Sequence, residues 1–73
     1  MSGQVPEIIY NRVSAIASKR DLPMYKVEQM ADIPNGTIGK WRVSRGANIN
    51  TIMKLAKALD VSVDYLVGIT DEQ

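Results

Sequence analysis

The sequence predicts an all-α fold, a compact domain of five short helices. Three observations carry that prediction. Apolar residues recur at three- and four-residue intervals through most of the chain, the spacing that lines one face of a helix. No segment alternates cleanly enough to make a strand. The prolines Pro6, Pro23 and Pro34 all fall where helices are expected to begin, and there a missing N–H costs little.

The first helix is expected over about 6–20, with Ile9, Val13, Ile16 and Ala17 inward. Pro6 suits its first turn and Glu7 its positive end. It should stop near Arg20–Asp21, because Leu22 precedes Pro23 and is biased away from the helical region. The second helix, about 23–31, buries Val27 and Ala31 and is broken by Asp32–Ile33–Pro34. The third, about 35–43, turns Ile38 and Trp41 inward. Ser44–Arg45–Gly46–Ala47 forms a loop, and Asn48 caps a fourth helix over 49–59 carrying Ile49, Ile52, Leu55, Ala56 and Leu59. Ser62 caps a last helix over 63–67, which Gly68 ends, leaving 69–73 as a short tail. Met24, Met30 and Met53 are expected as core filler. No internal repeat stands out.

Composition narrows the chemistry. The chain has 73 residues, no cysteine and no histidine. Disulfide staples, thiolate or imidazole metal sites and His-based catalysis are therefore excluded. The carboxylates are scattered, with no pair in an apolar setting that would raise a pKa for acid catalysis. The expectation is a protein that is not an enzyme and needs no cofactor or metal. Apolar runs are far shorter than the ~20 residues of a spanning helix, and the N-terminus lacks a signal-peptide pattern. This points to the cytoplasm and to no membrane partner.

The net charge of +1 hides an uneven distribution. Residues 1–32 balance to zero, 33–58 carry +5 with no acid, and 59–73 carry −4 with no base. A basic centre of this kind attracts phosphate.

The second and third helices are separated by only a few residues, so they must pack at a steep angle. The exposed first turn of the third carries Asn35, Gly36 and Thr37, with Lys40 one turn on. These residues are small or polar, and an α-helix fits the major groove of B-DNA. Leu22–Val27 followed by Ile33–Pro34–Asn35–Gly36–Thr37–Ile38–Gly39–Lys40–Trp41 resembles the helix-turn-helix of the phage repressor and Cro-type (XRE-like) family. Ile49 through Gly68 is similar to that family's usual ending. The likeness covers about residues 8–68 and is nearest in flavour to small regulators of Gram-positive bacteria and their phages. It implies a lambda-repressor-like DNA-binding domain whose third helix reads the operator.

By family position, Asn35, Gly36, Thr37 and Lys40 face bases or nearby phosphates, while Tyr25, Arg42, Arg45 and Asn48 clamp flanking phosphates. Asn48 has an equal alternative as a helix cap, and Trp41 is expected to pack rather than to touch DNA. The chain departs from the family pattern in several places. Pro23 and Pro34 stand where Ser caps are usual, Met24 where a Gln is usual, Glu28 where a small Ala is common, Asp32 where the turn has Gly, and Arg42 where an acid follows the Trp. Asp32 must then tolerate a left-handed conformation or make another turn.

The leading expectation is a sequence-specific transcriptional regulator, a repressor or Cro-like protein, bound to a double-stranded DNA operator. A module this small suggests a homodimer, with contacts from the fifth helix and tail through Tyr65, Val67 and Ile69. The alternative is an antirepressor or modulator that uses the same fold to bind a partner repressor protein, a reading motivated by the acidic end Asp60, Asp64, Asp71 and Glu72. A third alternative is the DNA-binding half of a longer repressor. Asn35–Gly36–Thr37 fits a glycosylation sequon, but nothing else in the sequence points to secretion.

Overall fold

The computed structural model describes residues 5–42 and 46–72. The described chain forms five helices: α1 (Val5–Lys19), α2 (Met24–Met30), α3 (Thr37–Lys40), α4 (Ile49–Leu59) and α5 (Val63–Leu66). No strand occurs among the described residues. The molecule measures 31 × 25 × 21 Å. No described helix is long and apolar enough to cross a membrane.

Four of the helices end by one device. In a Schellman motif the chain turns left-handed just past the helix, and two N–H groups beyond the turn reach back to the last carbonyls. After α1, Asp21 takes φ 56°, and Leu22 N–H donates to the Ala17 carbonyl at 2.8 Å. After α2, Asp32 takes φ 58°, and Ile33 N–H donates to the Glu28 carbonyl at 3.0 Å. After α4, Asp60 takes φ 57°, and Val61 N–H donates to the Ala56 carbonyl at 3.0 Å. After α5, Gly68 takes φ 88°, and Ile69 N–H donates to the Asp64 carbonyl at 2.9 Å.

Three of these stops therefore use aspartate where glycine is usual. Asp is among the few residues that enter the left-handed region readily, though at some cost. Each Asp is followed by an apolar residue and then by Pro or Ser: Asp21–Leu22–Pro23, Asp32–Ile33–Pro34, Asp60–Val61–Ser62. The same three-residue pattern thus follows three of the five helices. Gly68 is different, because a Cβ there would lie 3.0 Å from Ile8 Cγ2, so space as well as φ demands glycine.

The core is one cluster. Ile9, Val13 and Ile16 of α1 meet Val27 of α2, Ile38 of α3, Leu55 and Leu59 of α4, and Leu66 of α5, all essentially removed from water. α4 packs on α2 and on α5, and α1 on α5 and α2. Trp41 is buried, as its packing role requires.

The boundaries of α1, α2, α4 and α5 fall within about a residue of the expected ones. α3 differs. It was expected over 35–43, but Asn35 and Gly36 lie in a turn before it and the helix spans only Thr37–Lys40. Gly36 has φ 88°, which no right-handed helix accommodates, and Thr37 N–H closes the turn onto the Pro34 carbonyl at 3.2 Å. Position 43 and the Ser44–Arg45 half of the expected Ser44–Ala47 loop lie outside the described residues. Met30 and Met53 are also corrected. They are 44% and 47% exposed rather than core, because the inward positions of their helices are already filled by Val27, Ile52, Leu55 and Ala56. Met24 does pack partly against the core.

Candidate nucleic-acid interface

α2, the connection after it and α3 form a unit built from three anchors. Val27 and Ile38 are fully buried and join the two helices through the core. Ile33, at the C″ position of the α2 stop, is turned inward and pins the connection. The third anchor is a charge. Glu28 is 4% exposed, the one buried charged side chain among the described residues. Its carboxylate accepts Gly36 N–H at 3.1 Å on one oxygen and Ile38 N–H at 3.0 Å on the other.

That pairing resolves a local deficit. The first N–H groups of any helix lack partners within the helix. α3 has no side-chain cap of its own: Gly36 at its N-cap has no side chain. Glu28 supplies from α2 the acceptors that a local Ser or Asp would provide. A carboxylate so placed makes charge-assisted bonds, the stronger kind. Turning inward also removes an acid from the outer surface of the unit.

The expected contact residues distribute as follows. Asn35 and Gly36 are exposed on the turn that leads into α3. Thr37 opens α3, half-buried, with its hydroxyl donating to the Pro34 carbonyl at 2.7 Å. Lys40 is exposed in the last turn. Tyr25 is 57% exposed on α2, an outward aromatic beside the exposed Lys26. Arg42 is exposed just past α3, its guanidinium 5.8 Å from the centre of the Tyr10 ring on α1, within cation–π range. Asn48 is exposed, and its carboxamide oxygen accepts Asn50 N–H at 2.8 Å, so it is the cap of α4. Arg45 lies outside the described residues.

The surface of the unit thus presents Tyr25, Asn35 and Gly36, the cations Lys26, Lys40 and Arg42, and one exposed acid, Asp32, at the α2 stop. Glu28 is an anchor of the unit that reading for exposed polar contacts misses. A carboxylate on α2 and a glycine N-cap without a side chain on α3 compensate each other.

Two features lie away from this unit. A shallow groove of about 300 Å³ is lined by Met53, Ala56, Lys57, Asp60, Val61 and Val63, with Ile49 exposed one turn before Met53. At the other end of the chain, Arg12 of α1 donates to the Thr70 carbonyl at 3.3 Å and to Asp71 at 3.0 Å, and stacks 4.5 Å from the Tyr65 ring centre. The bond to Asp71 leads in raising the Arg12 pKa above its usual value, against a smaller effect of desolvation. Tyr65, expected at a dimer surface, is instead buried beneath this contact. Val67 is half-buried and Ile69 is 74% exposed.

Comparison with protein-family models, with curated proteins and with solved structures finds no match to this chain.

Proposed function

We propose that the chain is a sequence-specific DNA-binding regulator of transcription, of the phage repressor and Cro type, with α2 and α3 as its helix-turn-helix in a lambda-repressor-like arrangement. The observation that carries the reading is the α2–α3 unit itself. It presents a short helix anchored by Ile38 and Glu28, with Asn35 and Gly36 exposed at its entrance and Lys40 one turn on. α3 enters the major groove, Asn35 and Thr37 approach base edges, and Lys40 and Arg42 meet phosphate. Tyr25 supports the backbone contact from α2. Two copies on a pseudo-palindrome, with half-sites about 34 Å or a multiple apart, would supply the affinity that one module lacks.

The test is a fluorescence-anisotropy titration with duplex from around the chain's own gene, against random duplex, at two salt concentrations. Binding that survives competitor is expected, and Asn35→Ala with Lys40→Ala should abolish it. Lys40→Ala alone should flatten the salt dependence by about one phosphate contact. Binding that weakens equally on all sequences as salt rises would refute the reading.

One observation favours a second reading, a modulator that captures another regulator protein. Beside α4, exposed Met53 lies between Lys54 and Lys57 on one side and Ala56, Val61 and Val63 on the other, with Asp60 at the same groove. Under that reading Met53→Asp abolishes capture of the regulator and leaves DNA titrations unchanged. Capture that persists in Met53→Asp would remove this surface.

A further inference from the structure

We propose that Glu28 is the positioning residue of the α2–α3 unit: its buried carboxylate sets where α3 sits, and so how sharply the unit discriminates one DNA sequence from another. The proposal rests on the DNA reading above and adds to it a residue that touches no DNA.

The geometry makes the case. α3 has only four residues, too few to hold its own direction through internal hydrogen bonds. Its apolar anchors, Ile38 and the following Trp41, fix its depth in the core. Dispersion contacts of that kind are non-directional and leave rotation about the anchor weakly restrained. The Glu28 carboxylate adds two directional bonds, to Gly36 N–H at 3.1 Å and Ile38 N–H at 3.0 Å, through different oxygens. Two points of attachment, one at the N-cap and one in the first turn of α3, fix its rotation as well as its distance from α2. Asn35 and Thr37 adjoin the bonded amides directly, so any tilt of α3 is delivered to them undamped. Base-edge hydrogen bonds weaken steeply outside narrow distance and angle limits, and contact groups must be held within about 0.5 Å to work.

Among the described residues, no other side chain is bonded to these two amides. Gly36 at the N-cap has none to offer, and the Thr37 hydroxyl donates its proton to the Pro34 carbonyl. α5 provides the contrast, because its start is capped by its own Ser62, whose hydroxyl oxygen accepts Tyr65 N–H at 3.0 Å.

Glu28→Gln is the decisive variant. It preserves volume and one acceptor oxygen but turns an amide NH2 toward the second donor, forcing α3 to shift. The readout is the ratio of operator to random-duplex affinity, together with the salt slope. A loss of stability alone lowers both affinities by the same folded fraction and leaves the ratio unchanged. The expected result is a ratio reduced about tenfold or more, the scale of one lost bidentate base contact. Random-duplex affinity and salt slope should stay as in the unsubstituted chain, because the phosphate-binding cations are intact. An unchanged ratio in folded Glu28→Gln overturns the proposal.

Amide hydrogen exchange on the unsubstituted chain, without DNA, gives an arm that does not depend on the variant folding. Gly36 and Ile38 amides should be protected, and exchange as fast as in an open turn overturns the proposal. If the unsubstituted chain shows no sequence preference, the DNA reading fails and the specificity role falls with it. Protected amides in that case show that the clamp exists but serves another purpose, which separates the two failures.

Discussion

α2 and α4 end alike and hand the chain on differently. Both stop at a left-handed aspartate, Asp32 or Asp60, and both dock the next residue, Ile33 or Val61, back toward the helix. After Asp60 the chain restarts at once: Ser62 caps α5 with its own hydroxyl, two residues past the turn. After Asp32 it does not. Pro34, Asn35 and Gly36 intervene, and α3 receives its cap from Glu28, on the helix before. The local solution gives a short junction that Ser62 caps by itself. The tertiary solution frees the residues of the connection from capping duty, so that Asn35 and Gly36 can be chosen for what they present outward.

Substitutions can break this comparison at different depths. The deepest are Ile38→Ala and Leu66→Ala, which remove the fully buried anchor of each short helix. Each should cost about 2–5 kcal/mol in urea denaturation. A domain of this size has little more to lose than that. Equal costs would show that the core treats the two helices alike despite their different caps.

Next comes the difference between the caps. Glu28→Ala strands two N–H donors, at least one of them buried, and should cost about 2–4 kcal/mol. Ser62→Ala removes a single cap and should cost about 1 kcal/mol. If Ser62→Ala proves the more damaging in chemical denaturation, the Glu28 cap is not the stronger of the two.

Asp32→Gly and Asp60→Gly test the shared part. Each relieves a left-handed aspartate and removes a negative charge from the negative end of a helix. The added freedom of glycine in the unfolded chain opposes this. Each variant should still be more stable, by up to about 1 kcal/mol, with the midpoint of unfolding moving to higher urea. The two shifts should match, because the stops are geometrically the same.

Arg12→Ala should have the smallest effect. Asp71 is 96% exposed, so water replaces the lost partner, and thermal melting should move little. A large shift would show that the stack on Tyr65, not the ion pair, is what holds α5 to α1.

The number of helices, their order and most of their ends were legible because they follow from local rules. Helical spacing placed Ile9, Val13, Ile16, Leu55 and Leu59 inward. Asn48 and Ser62 cap what they precede, and Gly68 stops what it follows. Each of these depends on side chains within one or two turns of each other. The start of α3 was not legible in that way, because its cap lies eight and ten residues back on another helix and exists only once α2 and α3 have met at their angle. The burial of Tyr65 beneath Arg12 joins residues from opposite ends of the chain. The exposure of Met30 and Met53 reflects neighbours that had already filled the inward positions. The sequence by itself determined α1, α2, α4 and α5 and where each of them stops, since backbone conformation answers to near neighbours. Only the tertiary structure decided how α3 is held and what its entrance presents to a partner, since a directional bond between two helices is defined by their packing.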